Sequence, residues 1–467
     1  MEYRRAEAVL FYHSVFHKIE SPLHTPLNAE YSKAVEIPRA AGRAGLPMRV
    51  VSSPAAIFTV ALLVRLVDLS LHPWFKPAHP DQLTFAYEIG RVAQSIVEGH
   101  GFSSPFGGST GPTAWYTPVY PLLLAGIFKI FGVYSLASAW VIATVNSLFA
   151  ALTAVVMIAI GRETVGVRVG MIAAWIWALL PYVMQWSVRW VWDTSLSALL
   201  LALVVYATLR ARGKPRGRHF ILLGLLWALV ANANPTLLSL MPFSLLWIWW
   251  EQRSERSVKL GIASVLLLTV VGCVPWIARN YITMHYLGLR SNFGEELYLG
   301  NQQGADGLIV QWKHPIWSST ELREYQRMGE IAYIAAKRRL ALEFIRSHPG
   351  TFTAISLKRV AYFWCGAPDD PRVHPSNVVV RTTFLFMMTL LGLWGCLRAI
   401  RKKVPGAWLL LATLVFYPLI FYITHTHVRY RHPLDPILFL GAVYLFVSHR
   451  YEPSILKSES QGESLGA

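Results

Sequence analysis

Residues 138–160, SAWVIATVNSLFAALTAVVMIAI, decide the class of fold. This run carries no charged residue, and its length matches the roughly 20 residues that a helix needs to cross a bilayer. Further runs of similar character predict membrane spans at 54–71, 138–160, 168–187, 194–210, 219–233, 236–250, 258–277, 380–399, 406–424 and 434–448. The chain is therefore predicted to be an all-α polytopic membrane protein with about ten transmembrane helices.

The composition of the whole chain supports this class. Of its 467 residues, 54% are hydrophobic and only 15% are charged, whereas a soluble domain has about 25% charged residues. The three cysteines exclude a disulfide scaffold. The net charge of +17 would suggest nucleic-acid binding in a soluble protein. Here, however, the basic residues occur in short clusters between apolar runs, and we predict no nucleic-acid partner.

The basic clusters predict the orientation of the spans. They are Arg162 and Arg168; Arg210, Arg212, Lys214, Arg216 and Arg218; Arg253, Arg256 and Lys259; and Arg398, Arg401, Lys402 and Lys403. Short loops rich in Lys and Arg stay in the cytoplasm. If the run Val119–Phe131 also spanned fully, these loops would face outward. We therefore interpret it as a helix that dips into the outer leaflet or lies at the interface, with both termini of the chain inside.

Three regions are predicted along the chain. Residues 1–53 are a polar cytoplasmic extension and are expected to be disordered, as is the cytoplasmic tail 451–467. Residues 54–450 form the membrane domain, with two long outer loops at about 72–118 and 279–379. Because these loops hold most of the mass outside the membrane, we expect the chemistry on the outer face.

The first outer loop supplies candidate carboxylates. Asp81 precedes a predicted amphipathic helix, and Glu88 lies within that helix, where Arg91 could pair with it. A cap with a surface ion pair on an interfacial helix explains these residues as well as a carboxylate general base does.

Two spans contain or adjoin further charges. Asp193 follows Trp192 at an outer span end, and Arg189 could pair with it. Ionisable residues at membrane depth are functional candidates. Arg65 and Asp68, three residues apart in the first span, could form a pair that is structural or functional.

Potential ligands for a phosphate or sugar occur in the later loops. Arg279, Asn280 and Asn292 lie in the second outer loop beside aromatic and glycine residues. The last outer loop contains Arg429 and Arg431 among three histidines. Arginine binds phosphate bidentately, so an anion seat is favoured over headgroup snorkelling or a zinc site, for which no Cys or carboxylate ligand is near. No metal ligand is predicted.

Several motifs, taken in order, resemble a known family. They are the stretch Trp115–Pro121, which contains a Pro-x-Tyr-Pro element at Tyr120; Phe128–Gly132; Gly161–Glu163; Asp193; and Arg429-Tyr430-Arg431-x-Pro433. Over residues 54–450 the chain resembles the GT-C membrane glycosyltransferases, in particular the bacterial protein O-mannosyltransferases and the lipid A aminoarabinose transferases. No nucleotide-binding, metalloprotease or serine-hydrolase motif is present.

This resemblance implies a function. It implies a polyprenyl-phosphate-linked sugar donor and transfer with inversion to a protein, lipid or glycan on the outer face of a bacterial inner membrane. A first-loop carboxylate, Glu88 or Asp81, would act as base, and Asp193 matches the second acidic position. Arg429 and Arg431 match the basic element, so arginine can take the place of a metal and no cofactor is required. A transporter and an O-antigen ligase or polymerase are the alternatives.

Overall fold

The computed structural model describes residues 53–72, 79–213, 217–252, 255–367 and 375–447. Within these ranges the chain is helical and contains no β-strand; one isolated bridge joins Ser103 to Pro112. The predicted N-terminal extension and C-terminal tail lie outside the described residues.

The membrane domain consists of helices joined by short loops. In chain order these are α1 (Pro54–Leu71), α2 (Tyr87–Val97), α3 (Val119–Phe131), α4 (Leu136–Glu163), α5 (Val167–Leu179), α6 (Pro181–Val188), α7 (Thr194–Gly213), α8 (Gly217–Ala233), a 3₁₀ turn (Pro235–Leu240), α9 (Met241–Glu251) and α10 (Arg256–Met284). After the second outer loop come α15 (Pro375–Arg401), α16 (Ala407–Phe416), α17 (Leu419–Ile423), α18 (Val428–Arg431) and α19 (Asp435–Val447). Helix α4 packs against α1, α5 and α7, α8 packs against α10, and α15 packs against α19.

The predicted apolar runs fall largely on helices where the structure describes them, but the number of spans is not confirmed. By length and composition, five described helices can cross a membrane, and a sixth crossing is obtained if the bent pair α5–α6 counts as one. Helix α3, with 13 residues, belongs to the shorter apolar helices. At 1.5 Å per residue it covers about 20 Å, less than the roughly 30 Å hydrocarbon core. The chain is a multi-pass membrane protein.

The described basic loops meet at one end of the bundle. Arg210 pairs with Glu163 at 2.9 Å, and Arg212 pairs with Glu251 at 3.1 Å. The loop that follows α15 packs on the same end, because Gly406 lies against Leu209. Lys214, Arg216 and Arg253 are outside the described residues. Since Thr194 starts α7 and Arg210 lies near its end, the start of α7 marks the opposite end of the bundle.

The outer segments add a helical layer at that opposite end. The first outer loop contains α2, whose apolar face packs on α3, and the chain turns away at Gly99 with φ of +84°. The second contains α11 (Phe293–Gly300), α12 (Ser319–Met328), α13 (Glu330–Ser347) and α14 (Pro349–Cys365). This arrangement agrees with the helical first loop and the larger outer subdomain that the sequence predicts.

A break between α5 and α6 is stabilised by a buried arginine. The two helices are bent by 60° at Pro181, which cannot donate a backbone hydrogen bond. Arg65 in α1 donates instead to the carbonyls of Trp177, at 3.2 Å, and Ala178, at 2.9 Å. The predicted pair of Arg65 with Asp68 is therefore wrong, because Arg65 is fully buried among carbonyls while Asp68 pairs with another arginine, Arg189, at 3.3 Å.

Three glycines let α15 and α19 approach closely. A Cβ on Gly395 would overlap the backbone carbonyl of Gly441, and one on Gly441 would overlap the carbonyl of Gly392. Small residues at a helix crossing bring the backbones into contact, which favours association in lipid.

We predict that Gly395→Ala lowers the thermal stability of the purified protein, because the added methyl group forces α15 and α19 apart. The expected loss is about 1–3 kcal/mol, measured as a lower melting temperature in detergent. Gly126→Ala is the control, since no atom outside its own helix turn lies within 4 Å of a Cβ at that exposed position in α3. Equal melting temperatures for wild type and Gly395→Ala would contradict the close crossing.

Candidate active site

A cavity of about 480 Å³ lies where the membrane helices meet the outer segments. Its roof comes from the outer segments and includes Glu88, Tyr116, Arg290 and His314. Its floor and walls come from the membrane domain, and their polar members include Asp193, Thr194, Ser197, Asn234, Thr236, Ser239, Thr424, His425, His427 and Arg429. The cavity therefore joins groups at membrane depth to groups of the outer layer.

Irregular backbone lines this cavity. The link 189–193 between α6 and α7, the 3₁₀ turn Pro235–Leu240 and the segment that follows α17 all contribute lining residues. In a membrane protein, broken helices at this depth are tolerated where they face a cavity or are covered by protein. The fold thus makes three helix interruptions coincide at one site.

A buried carboxylate holds the two outer segments together above the cavity. Glu330, at the start of α13, accepts hydrogen bonds from the Ala114 amide at 2.8 Å, the Ser291 hydroxyl at 2.6 Å, the Tyr325 hydroxyl at 2.7 Å and the Thr113 hydroxyl. Burial raises the pKa of Glu330, and these donors oppose the rise. The carboxylate links the first outer loop to the second.

This link determines where two roof residues lie. Tyr116 follows directly on the segment bound by Glu330, and Arg290 immediately precedes Ser291. The guanidinium of Arg290 lies 4.7 Å from the ring centroid of Tyr116, and its Nε donates to the carbonyl of Trp115 at 3.0 Å. Arg290 is consequently fixed over the cavity as a positive group.

Glu88 reaches the cavity from the first turn of α2. Ala86, two residues before Glu88, has φ of 49°, a left-handed conformation that costs an alanine roughly 1 kcal/mol. The Glu88 side chain is 5% exposed, and its Oε2 has no hydrogen-bond partner. Burial raises the pKa of Glu88 to about 7, although a backbone hydrogen bond and the charge of Arg429 oppose the rise.

His314 faces Glu88 from the second outer loop. Its Nε2 lies 3.9 Å from Glu88 Oε1, and its Nδ1 accepts a hydrogen bond from the Ile316 amide at 3.1 Å. This acceptor role assigns the proton of a neutral ring to Nε2, which points toward Glu88. Burial lowers the pKa of His314 to about 4, so the imidazole is neutral at pH 7.

A second glutamate in the cavity is ionised. Glu296 Oε2 lies 2.5 Å from His425 Nε2, and its Oε1 accepts a hydrogen bond from Asn292 at 2.5 Å. Burial alone would raise the pKa of Glu296, but the hydrogen bond and charge of His425, together with the charge of Arg290, lower it to about 2. Glu88 and Glu296 thus differ in protonation within one cavity.

Arg429 presents a cation to the cavity between aromatic rings. Its guanidinium carbon lies 4.0 Å from the centroid of Trp192 and 5.2 Å from that of Tyr430. Burial would lower the pKa of Arg429, but Tyr430, Tyr116 and Asp193 raise it. The side chain is therefore permanently charged and held by ring faces.

Asp193 lies in the link between α6 and α7 and lines the cavity. Ser197 donates to its Oδ2 at 3.4 Å. Burial raises the pKa of Asp193, while the charges of Arg290 and Arg429 and the hydrogen bond of Ser197 oppose the rise. Arg189, the predicted partner of Asp193, instead contacts Asp68.

The structure brings some of the sequence-predicted site residues together. Glu88, Asp193, Asn292 and Arg429 all line the cavity. Asp81 does not: its side chain is 66% exposed and pairs with Arg91, which stacks on Tyr87. The expected pair of Arg91 with Glu88 is corrected accordingly, because Arg91 binds Asp81 whereas Glu88 is buried at the cavity.

The other predicted binding residues serve the surrounding packing. Tyr120 is 1% exposed and donates to Asn146 at 3.1 Å. Arg279 lies within α10 and donates to the carbonyls of Thr113 and Phe102, at 2.6 Å and 2.5 Å.

Asn280 and Arg431 also lie away from the cavity lining. Asn280 is fully buried and donates to the carbonyl of Gly288 at 2.9 Å. Arg431 is 1% exposed and faces Asp435 at 3.6 Å. Their roles in binding remain predictions.

Sequence reasoning did not select Arg290, Glu296, His314, Ser197 or Thr236. Arg290 and Glu296 lie within four residues of Asn292, and their charge beside aromatic residues was a usable signal. His314 had none, because its partner lies more than 200 positions earlier. In the part of the chain that the structure describes, no group of three His, Cys, Asp or Glu side chains could hold a metal ion.

Comparisons with known proteins identify the fold. Residues 115–278 match the family model of dolichyl-phosphate-mannose-protein mannosyltransferases. The oligosaccharyltransferase of Archaeoglobus fulgidus in its apo form is 12% identical and aligns over 88% of this chain and 52% of its own, with a TM-score of 0.51. The archaeal enzyme AglB from the same organism, with an inhibitory peptide and a dolichol-phosphate, is 14% identical over 89% and 52%, with a TM-score of 0.50.

A third structure is less similar to this chain. ArnT from Cupriavidus metallidurans bound to undecaprenyl phosphate is 13% identical over 84% of this chain and 76% of its own, at a TM-score of 0.35. No curated protein matches the sequence. The chain spans about half the length of the archaeal enzymes. The chain has the GT-C fold of the archaeal enzymes, and the match of residues 115–278 bears out the predicted resemblance to the protein mannosyltransferases.

We predict that Glu88→Gln stabilises the protein at pH 8 and much less at pH 5. The pKa of Glu88 is higher in the folded than in the unfolded state, so its stabilising contribution is complete below about pH 4.5 and is lost as the pH rises through about 7. The neutral amide avoids this loss, on the order of 2–3 kcal/mol.

Melting temperatures at the two pH values measure this difference. Glu98→Gln, at an exposed position just after α2, is the control and should show no such pH dependence. A shift of equal size at both pH values would contradict the raised pKa.

Proposed function

We propose that the chain is a membrane glycosyltransferase that moves a sugar from a polyprenyl-phosphate donor to a hydroxyl or amine acceptor. The observation that carries this proposal is the pairing, in one cavity at membrane depth, of the cation Arg429 with the buried carboxylate Glu88. A lipid-linked donor needs both: a cation for its phosphate at the interface and a base for the acceptor. The GT-C fold supports the same class.

Arg429 would bind the donor phosphate. A guanidinium carries five N–H donors in a planar fork, so Arg429 can offer phosphate oxygens a bidentate contact while ring faces hold it in place. Arg290 supplies a second positive charge in the roof. When the bond from the anomeric carbon to the phosphate oxygen breaks, the electron pair leaves with the phosphate, and these fixed cations stabilise the developing charge.

Glu88 would accept the proton of the acceptor. The acceptor oxygen or nitrogen attacks the anomeric carbon as its proton moves to Glu88, whose pKa near 7 matches a base that must be ionised yet still basic. The neutral ring of His314 lies 3.9 Å from the carboxylate and adds no charge beside it. Attack opposite the departing phosphate inverts the anomeric carbon, and Asp193 would balance positive charge that develops on the sugar.

The wider setting is proposed on the same basis. The archaeal relative AglB holds a dolichol-phosphate and an inhibitory peptide, which supports a lipid-phosphate donor for this chain and leaves a protein, a lipid or a glycan as the acceptor class. Because the basic loops lie at the end of the bundle away from the cavity, we infer that the cavity opens to the outer face of a bacterial inner membrane. Catalysis would need no metal, since Arg429 and Arg290 meet the phosphate charge.

We predict that purified protein releases polyprenyl phosphate from one or a few members of a panel of polyprenyl-phosphate sugars. Arg429→Ala should reduce release by about 100-fold or more, and Arg429→Lys should retain part of it because the charge remains without the bidentate edge. Arg346→Ala, at an exposed site in α13, is the matched control. Donor binding is read in the same samples, because a missing acceptor can suppress turnover.

We predict further that Glu88→Gln reduces transfer by about 10²- to 10⁴-fold without loss of donor binding. Glu98→Gln should transfer as wild type does. Unchanged transfer by Glu88→Gln would exclude Glu88 as the base and favour Asp193 or Asp81. Neither release nor binding of any donor would favour a transporter or another polytopic protein.

A further inference from the structure

The floor of the cavity contains a row of uncharged polar side chains that the proposed chemistry does not use. Ser197 lies one turn into α7, and Asn234 and Thr236 lie at the start of the 3₁₀ turn. Thr236 and Asn234 are partly buried and Ser197 is buried, and all three line the cavity beside Asp193. Polar groups at this depth are costly in an apolar environment unless they have partners.

These side chains form a directed chain of hydrogen bonds. The Thr236 amide donates to Asn234 Oδ1 at 3.2 Å, as does the Thr236 hydroxyl, which identifies that atom as the oxygen. Asn234 Nδ2 then donates to Ser197 Oγ at 2.9 Å. Because Ser197 Oγ accepts this bond, its own proton is free to go to Asp193 Oδ2, 3.4 Å away.

Several other hydroxyls in the membrane helices behave differently. They donate to the carbonyl four residues earlier, as seen for Ser147, Thr153, Thr269, Thr389 and Thr413. That is the usual way for a helix to satisfy a hydroxyl away from water. Ser197 and Thr236 instead join a hydrogen-bond network that lines the cavity and has donors and acceptors left for a ligand.

The hydrogen-bond donors and acceptors that the row has left match the hydroxyl groups of a sugar. Asn234 Nδ2 has a second N–H, Thr236 Oγ1 can still accept, and the Asp193 carboxylate has further lone pairs. A hydroxyl both donates and accepts a hydrogen bond. Neighbouring hydroxyls of a sugar can therefore bind to a row in which acceptors and donors alternate. Three of the four side chains are uncharged, and Asp193 already accepts a hydrogen bond from Ser197, which favours a neutral sugar over one that carries an ammonium group.

We propose that Asp193, Ser197, Asn234 and Thr236 form the subsite that binds hydroxyl groups of a neutral sugar carried by the lipid-phosphate donor. This inference rests on the proposed function and names the substrate class of the same cavity. Arg429 would hold the phosphate, and the row would select the glycosyl group attached to it.

The test distinguishes binding of the sugar from binding of its lipid-phosphate carrier. Equilibrium binding to purified protein is measured for undecaprenyl phosphate without sugar, with a neutral hexose and with an amino sugar. We compare wild type with Ser197→Ala, Thr236→Val and the double variant. Ser147→Ala and Thr153→Val remove hydroxyls of the same kinds from α4, where both bond to their own helix, and serve as matched controls.

Wild type should bind the hexose-bearing carrier more tightly than the bare carrier. Each single variant should weaken hexose-donor binding by about three- to tenfold and leave bare-carrier binding unchanged. Both control variants should resemble wild type. A neutral hydrogen bond to the sugar predicts this size of effect.

Three results would overturn the subsite. The first is that the variants bind the bare and the hexose-bearing carrier equally less tightly, which would mean that the row only shapes the cavity. The second is that the variants bind both carriers as wild type does. The third is that wild type binds only the amino-sugar carrier more tightly than the bare carrier. If wild type bound no carrier at all, the proposed function itself would fail, and the subsite with it. Binding of bare carrier therefore distinguishes the two failures.

Discussion

In this molecule every backbone polar group at membrane depth must find a partner within the protein, and the cavity lies where three helix interruptions coincide. Each interruption has a partner of its own. In the link 189–193 the Val191 amide donates to the carbonyl of Thr84 at 2.9 Å, Asn234 accepts from the Thr236 amide at 3.2 Å, and after α17 the carbonyl of Ile423 accepts from Asn301 at 2.8 Å. Without such partners, the interruptions would cost several kcal/mol each in hydrocarbon. The irregular backbone that lines the cavity is thus a consequence of satisfied hydrogen bonds nearby.

The cavity combines two electrostatic environments. In the roof, Glu88 lies beside a neutral imidazole, whereas Glu296 is bound by His425 and Asn292. The two carboxyl groups consequently differ in pKa although they share one cavity, and such a difference is typical of sites that need one group to exchange a proton and another to stay charged. Glu296 connects α11 to the loop after α17, so its charge has a structural use that Glu88 lacks.

Much of the membrane architecture could be predicted from the sequence, but the site only in part. Apolar runs such as 138–160 indicate helices because a membrane leaves few other options. Glu88, Asp193 and Arg429 were selected by type and position. Arg429 and Arg431 could not be separated by composition, but residues two apart on a helical turn point in opposite directions, so only one of them reaches the cavity.

The remaining site residues depend on contacts between distant parts of the chain. Glu296 meets His425, and Glu88 meets His314, across gaps that no local spacing reveals. The same holds for Arg91. Its expected partner was Glu88 in the adjacent helical turn, whereas the folded loop brings it to Asp81. Local pattern could identify chemistry-bearing residue types here, but only the tertiary fold determines which of them share a cavity.

The carboxylate of Glu330 also has a consequence for the order of assembly. It binds Thr113 and Ala114, more than 200 residues earlier in the chain, and these residues are synthesised well before Glu330 is. Until Glu330 has been made, the segment that leads to Tyr116 lacks the carboxylate that holds it. The roof of the cavity can therefore be completed only late in synthesis, when both loops are present.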